Sequence, residues 1–178
     1  MKRVIASLIL IAIIITSPEA EAAKKKTKRK TQPQTQTQTQ ASPHNYYRGL
    51  TKAQADQADK VAREIAEYVK SKRELTTDRE KVSLAARIVA GYCQRGVYGN
   101  DEQKFYRSPY GVFIAGIFTC SGATRALGRV LDFMGYNWEH VNENQWAHQW
   151  CILKMDGQTG YADGQVGFVN YGTHPSAR

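Results

Sequence analysis

The chain has 178 residues, with 25 Lys and Arg against 16 Asp and Glu and a formal net charge of +9. A hydrophobic content of 42% is that of a globular protein and excludes wholesale disorder. Three cysteines are too few for a disulfide scaffold, and their odd number leaves at least one thiol unpaired within the chain. The length suits one domain of ordinary size, and no apolar run reaches the roughly 18 residues of a conventional spanning helix.

Met1-Lys2-Arg3 is a short basic start to the apolar run Val4 to Ile15, interrupted only by Ser7. Thr16, Ser17, Pro18 and the small-residue pattern Ala20-Glu21-Ala22 follow. This is the order of a secretory signal peptide covering residues 1–22, with cleavage expected after Ala22. A short uncleaved anchor is the alternative, although the run falls short of the ~20 residues that cross a bilayer. No cysteine follows the run, which argues against a lipid anchor there. The remainder is expected to be secreted or associated with the cell envelope.

Residues 23–45 read as a solvated linker. Lys24-Lys25-Lys26-Thr27-Lys28-Arg29-Lys30 places six positive charges in seven positions, and Thr31 to Gln40 is mostly alternating Thr and Gln. Neither stretch offers apolar side chains to bury. Residues 1–43 hold eight of the Lys and Arg and two Glu, which leaves 17 basic against 14 acidic residues from His44 onward. The basicity therefore belongs mainly to the tail. On an exported protein, residues 24–30 would meet an anionic cell-surface polymer or lipid headgroups, or serve as a plain solubilising spacer. No nucleic-acid partner is expected.

The globular region is expected over residues 46–178. Thr51-x-x-Gln54 is a capping-box start, and Ala55, Ala58, Val61, Ala62, Ile65, Ala66 and Val69 recur at helical spacing. A second helix is predicted from Thr77 to Gln94, with Glu80 completing its capping box and Gly96 just past its end. Val97 to Pro109 is polar and turn-rich, and Tyr110 to Ile114 is a short apolar approach to the next segment.

That segment is Thr119-Cys120-Ser121-Gly122-Ala123-Thr124-Arg125-Ala126-Leu127. Ala123, Leu127, Val130, Leu131 and Met134 form an apolar stripe that Gly135 ends, so Cys120 falls in the first turn of a helix. Unpaired amides there stabilise a thiolate and lower its pKa. Alone, a cysteine is more often a buried structural residue.

Downstream the pattern becomes strand-like over Tyr136 to Val141, Trp146 to Met155 and Gly160 to Phe168. Asp156-Gly157 is a strong two-residue hairpin signal. A turn there sets His148 opposite Gln165 and Trp150 opposite Asp163. His148 and Asp163 become diagonal neighbours on one face, within reach of each other. An imidazole held by a carboxylate is the orienting half of a nucleophilic triad.

Cys120 at a helix start, His148-Gln149-Trp150, and Asp163 after a hairpin together resemble the bacterial transglutaminase-like superfamily over about residues 77–168. The resemblance implies an α+β, papain-like fold with chain order Cys, His, Asp, and N-terminal helices packed on a C-terminal antiparallel sheet. Gly164 stands where many relatives have Pro, and no upstream oxyanion-hole side chain can be identified. By this resemblance Cys120, His148 and Asp163 are the catalytic residues of a cysteine peptidase or acyltransferase acting on peptide or protein amides. Cys120 would attack the carbonyl, His148 would move the proton, and Asp163 would fix the imidazole. The Cys120 amide would donate to the oxyanion. Water or a lysine amine would take the acyl group, with hydrolysis preferred because water needs no built site. The alternative is a catalytically inactive binding module at the cell surface.

Cys93 and Cys151 read as buried small hydrophobes; a Cys93–Cys151 disulfide is permitted outside the cell but cannot be read from sequence. His140 reads as a hydrogen-bonded sheet residue, while His44 and His174 lie in stretches read as tails with no specific role. A zinc set of His140, His148, Cys151 and Asp163 can be drawn, but neither C-x-x-C nor H-E-x-x-H spacing supports it. No metal or cofactor is therefore expected. Trp146 and Trp150 would line a substrate groove, or Trp150 would pack over the triad.

Overall fold

Both capping boxes form as their residue types dictate. Thr51 accepts from the Gln54 amide while the Gln54 side chain accepts from the Thr51 amide, opening helix α1 (Lys52–Ser71). Thr77 and Glu80 do the same for α2 (Asp78–Arg95), which stops at Gly96. Each such cap contributes about 1 kcal/mol. These elements belong to a computed structural model that describes residues 46, 47 and 49–177. The expected signal peptide, the expected linker and His44 lie outside the described residues. No helix among the described residues is long and apolar enough to cross a membrane.

The stretch after α2 differs from the expected string of turns. Strand β1 (Val97–Tyr98) pairs in parallel with β2 (Ile117–Phe118), joining Val97 to Ile117 and Tyr98 to Phe118. Between them lie a 3₁₀ turn at Phe105–Arg107 and a single π-helical turn at Gly111–Ala115. Asp101 organises the first of these by accepting from the amides of Phe105 and Tyr106, each at 3.0 Å. Two-residue strands are too short to carry a periodic signal, and their pairing crosses about a turn-rich loop rather than a hairpin.

Helix α3 (Cys120–Met134) ends at Gly135, which adopts φ +93°. It is followed by β3 (Trp138–Val141), β4 (Trp150–Met155), β5 (Gln158–Asp163) and β6 (Phe168–Tyr171), in that order across one antiparallel sheet. Asp156 and Gly157 take φ +52° and +78°, the left-handed pair that a two-residue hairpin turn requires. The β4–β5 register runs from Cys151 opposite Ala162 to Met155 opposite Gln158, as that turn predicts.

Two boundaries depart from expectation. Strand β4 begins at Trp150, so His148 and Gln149 precede the ladder. The expected strand Gly160–Phe168 is instead the end of β5, a turn, and the start of β6. The Asp163 side chain accepts from the amides of Gln165 and Val166, and its carbonyl accepts from Gly167, closing a turn that alternation alone does not reveal.

α3 is the centre of the domain. Every residue from Ser121 to Leu131 is buried, between α1 and α2 on one side and the sheet on the other. Small side chains set the spacing: Ala123 and Ala126 of α3, Ala58 and Ala62 of α1, and Ala85 and Ala86 of α2 are all fully buried. Leu127, Val130 and Leu131 fill the core, each stabilising by about 1.5–3 kcal/mol. The helix also buries Arg129, whose side chain is 5% exposed. Its guanidinium forks onto Asp59 of α1 with two contacts of 2.7 Å and reaches Asp132 at 3.4 Å.

A buried arginine stripped of its partner is costly. Asp59→Ala is expected to destabilise by about 3 kcal/mol, lowering Tm by roughly 10 °C. A thermal melt by circular dichroism reads the change, and an unaltered Tm would show that the pair contributes nothing to holding α1 on α3.

Candidate active site

Cys120 is the first residue of α3. Thr119 before it is extended, and no side-chain bond caps the helix. The first-turn amides have no acceptor within the helix, and the positive end of the helix dipole favours an anion there. The position is held from outside. Phe118 pairs with Tyr98, and the Thr119 amide donates to Tyr106 O at 3.0 Å, so the helix start is tied to both β1 and the 3₁₀ turn. Cys120 is partly exposed, whereas Cys93 and Cys151 are buried, and all three thiols are free.

His148 arrives from the loop between β3 and β4. Asn142 and Asn144 take φ +56° and +63°, a left-handed conformation that asparagine tolerates better than most residues. The Asn142 side-chain Nδ2 donates to His148 O at 2.8 Å. Buried Gln149 bonds to His140 Nε2 at 2.7 Å and to Gln145 O at 3.3 Å, stapling the loop to β3. The His148 ring lies over Trp150, with centroids 6.0 Å apart, and its Nε2 is 2.6 Å from Asp163 Oδ2.

Asp163 ends β5 and is 1% exposed. Its Oδ1 accepts from Gln165 and Val166 and its Oδ2 faces two imidazoles, those of His148 and His174. Gly164 lets the chain pass against α3: a Cβ there would sit 2.5 Å from Ala123 O and 2.9 Å from Leu127 Cβ. A larger residue at this position has no room unless the strand end moves away from the helix.

The ring and the thiol line one cleft. The Cys120 sulfur lies 3.8 Å from Ala147 O, and Cys120 shares the cleft with His148, Gln149 and Tyr98. Because Asp163 engages Nε2, Nδ1 is the ring nitrogen left for the thiol. Burial opposes ionisation of Cys120, but the His148 bond and charge, with the other donors, bring its pKa below the ordinary thiol value. The Asp163 bond, then the Cys120 bond, push His148 up to about 9. Burial alone would raise Asp163, but the His148 contacts and two backbone amides hold it below the usual carboxylate value. All three shifts favour the charged forms, a thiolate, an imidazolium and a carboxylate.

The structure joins His148 to Asp163, sets Cys120 on the same cleft as His148, and adds two residues. Tyr98 is 59% exposed on β1 and lines the cleft beside Cys120, brought there by the parallel pairing with β2. Burial and the Cys120 charge both raise its pKa, so it stays a donor. His174, read from the sequence as a tail residue, is buried beside Asp163. Its nearest sequence signals are weak, since it follows β6 as a lone histidine among small and polar residues.

The remaining readings divide. His140 is the hydrogen-bonded sheet residue expected. Cys93 and Cys151 point to different partners, Gly164 O and Thr124 O, and burial pushes both thiols upward, Cys93 to about 12. The zinc set that can be drawn from the sequence does not converge. Among the described residues, the ligand atoms that come within 4.8 Å of one another are those of His148, Asp163 and His174. There the Ser176 amide donates to His174 Nδ1, which puts the proton of that ring on Nε2, facing the carboxylate. The cluster is therefore a hydrogen-bonded one, and a metal would have to displace that proton. Trp150 is buried under the rings, while fully exposed Trp146 flanks the thiol.

Cys120 and His148 open onto a cleft of about 410 Å³, lined also by Tyr98, Tyr106, Arg107 and Trp146. In water, Cys120 is expected to react with iodoacetamide below pH 7 while Cys93 and Cys151 stay unlabelled. His148→Ala should slow labelling at pH 6.5 by roughly tenfold or more. Mapping the alkylated cysteine by mass spectrometry tests this; a Cys120 rate that climbs only through the ordinary thiol range, with or without His148, would contradict it.

No protein-family model and no curated protein matches the chain. Among solved structures it is similar to one described as the crystal structure of a TGase, with 17% sequence identity and a TM-score of 0.52. The match covers 72% of this chain and 36% of that one, so the chain spans about a third of that structure's length. At this level the likeness establishes the fold: an α+β, transglutaminase-like arrangement of N-terminal helices on a four-stranded antiparallel sheet.

Proposed function

We propose that the protein is an exported cysteine enzyme of transglutaminase-like type that attacks peptide or protein amide bonds through Cys120, His148 and Asp163. One observation carries the reading. A partly exposed thiol at a helix start shares a cleft with an imidazole whose Nε2 is 2.6 Å from a buried carboxylate. The likeness of fold to a TGase supports it. The apolar run and Ala20-Glu21-Ala22 support export, and Lys24 to Lys30 would hold the enzyme near an anionic cell-surface polymer or lipid.

In this mechanism the Cys120 thiolate adds to the amide carbon, forming a C–S bond and an oxyanion. The Cys120 backbone amide and the Tyr98 hydroxyl supply donors to that oxygen, the role for which no side chain was legible in the sequence. His148 gives its Nδ1 proton to the amide nitrogen, the C–N bond breaks, and the amine leaves. Water then adds to the thioester and gives a proton to His148, the C–S bond breaks, the carboxylic acid product leaves and the thiolate is restored. An amine entering the same way would yield a new amide. Water is the acceptor favoured here, because the cleft over Cys120 is open to solvent.

An activated ester tests the chemistry without a known substrate. p-Nitrophenyl acetate should acetylate Cys120, seen as a burst of nitrophenolate and a mapped adduct. His148→Ala should lower the acylation rate by about 100-fold or more, and Tyr98→Phe by up to about 100-fold. A p-nitroanilide needs the imidazolium proton, so its kcat/KM should fall again as pH rises through about 9, where His148 loses that proton. The ester should show no such fall. Absence of any Cys120 adduct, with the fold intact, would favour a binding module instead.

A further inference from the structure

Asp163 Oδ2 serves two rings. His148 Nε2 is 2.6 Å away and His174 Nε2 is 3.4 Å away. His174 comes from the segment after β6, yet it is 7% exposed. Its ring lies flat on Trp150, with centroids 4.3 Å apart and planes 15° apart, and meets the edge of Tyr161 at 4.7 Å. The Ser176 amide donates to His174 Nδ1 at 3.0 Å, and Ala177 N closes the turn on His174 O. A neutral imidazole that accepts at Nδ1 carries its proton at Nε2, the nitrogen facing Asp163.

We infer that His174 is a positioning residue: as a neutral ring it donates Nε2–H to Asp163 Oδ2, aims that oxygen at His148 and keeps water off the carboxylate. The consequence for catalysis rests on the enzymatic reading above; the hydrogen bond itself does not. Four donors then surround the carboxylate, two backbone amides on Oδ1 and two rings on Oδ2. The titratable groups facing this cluster are His148 from the β3–β4 loop, Cys120 beyond it, Tyr161 on β5, and the buried thiols of Cys93 on α2 and Cys151 on β4. Burial, reinforced by the positive charge of His148, favours the neutral form of His174 over the pull of Asp163. Two cations on one carboxylate would repel, and His148 holds the charge.

The aromatic seats explain why the segment folds back. Trp150 and Tyr161 sit on adjacent strands and leave a slot one ring wide above Asp163. Filling it with His174 excludes solvent, and an interaction kept dry is stronger than one screened by water.

Nitrogen-15 spectra of histidine-labelled full-length protein, titrated from pH 5.5 to 10, test the inference. His174, assigned by the signals lost in the variants, should show protonated Nε2 and unprotonated Nδ1 up to pH 9, with no step near the ordinary imidazole value. In His174→Ala, His148 should titrate lower by roughly one unit, because water reaches Asp163. His174→Gln, whose amide can still donate, should restore most of that unit. A His174 protonated at Nδ1, or one that becomes a cation near pH 6.5, would overturn the inference. So would an unchanged His148 titration in a folded His174→Ala protein, whatever its Tm, since that would leave a structural role only. If the alanine variant does not fold, the wild-type spectrum and His174→Gln still decide. A failure of Cys120 to acylate would remove the enzymatic reading and leave these spectra untouched.

Discussion

The 2.6 Å hydrogen bond between His148 Nε2 and Asp163 Oδ2 is the contact on which the rest of the site depends. It joins a loop residue to the end of β5, and its carboxylate side is almost closed to solvent. There a carboxylate is costly unless it is fully satisfied. Asp163 meets that condition with donors on both oxygens, and its charge in turn keeps the imidazole protonated. The imidazole then lowers the pKa of Cys120. Removing any one of these groups leaves the next with an uncompensated environment, so the three ionisations act as a unit.

Geometry makes the unit possible, and α3 supplies it. The helix is buried along its length, so its first turn is held rigidly at the mouth of the cleft. Arg129 ties it to α1 through Asp59, while Gly164 lets the end of β5 approach its backbone closely enough for Asp163 to reach across. The loop that brings His148 is shaped by two left-handed asparagines and stapled by Gln149. Each device fixes the direction of a side chain, which is what a nucleophile and its base require.

Legibility in the sequence followed the range of the interactions. Thr51 with Gln54, Thr77 with Glu80, Gly96 and Gly135 mark helix ends through contacts a few residues long, and all of them hold. Asp156-Gly157 sets the hairpin register for the same reason and makes His148 and Asp163 legible as neighbours, although His148 reaches the carboxylate from the loop before β4 and not from the ladder. Tyr98 and His174 were not readable. The first reaches Cys120 only because two-residue strands pair in parallel across a long loop. The second depends on a segment folding back onto Trp150 and Tyr161, contacts that leave no period. The Asp59–Arg129 pair and the turn hidden between β5 and β6 were missed on similar grounds, since alternation does not report a carboxylate capping its own turn.

The central claim is that His148 favours the thiolate of Cys120 and lowers its pKa, and the ultraviolet absorbance of the thiolate near 240 nm measures it directly. The difference spectrum between the wild-type protein and Cys120→Ser, titrated with pH, should show the thiolate step below the ordinary thiol value. The same difference taken in a His148→Ala background should move that step upward. A step at the ordinary thiol value in both backgrounds would contradict the account.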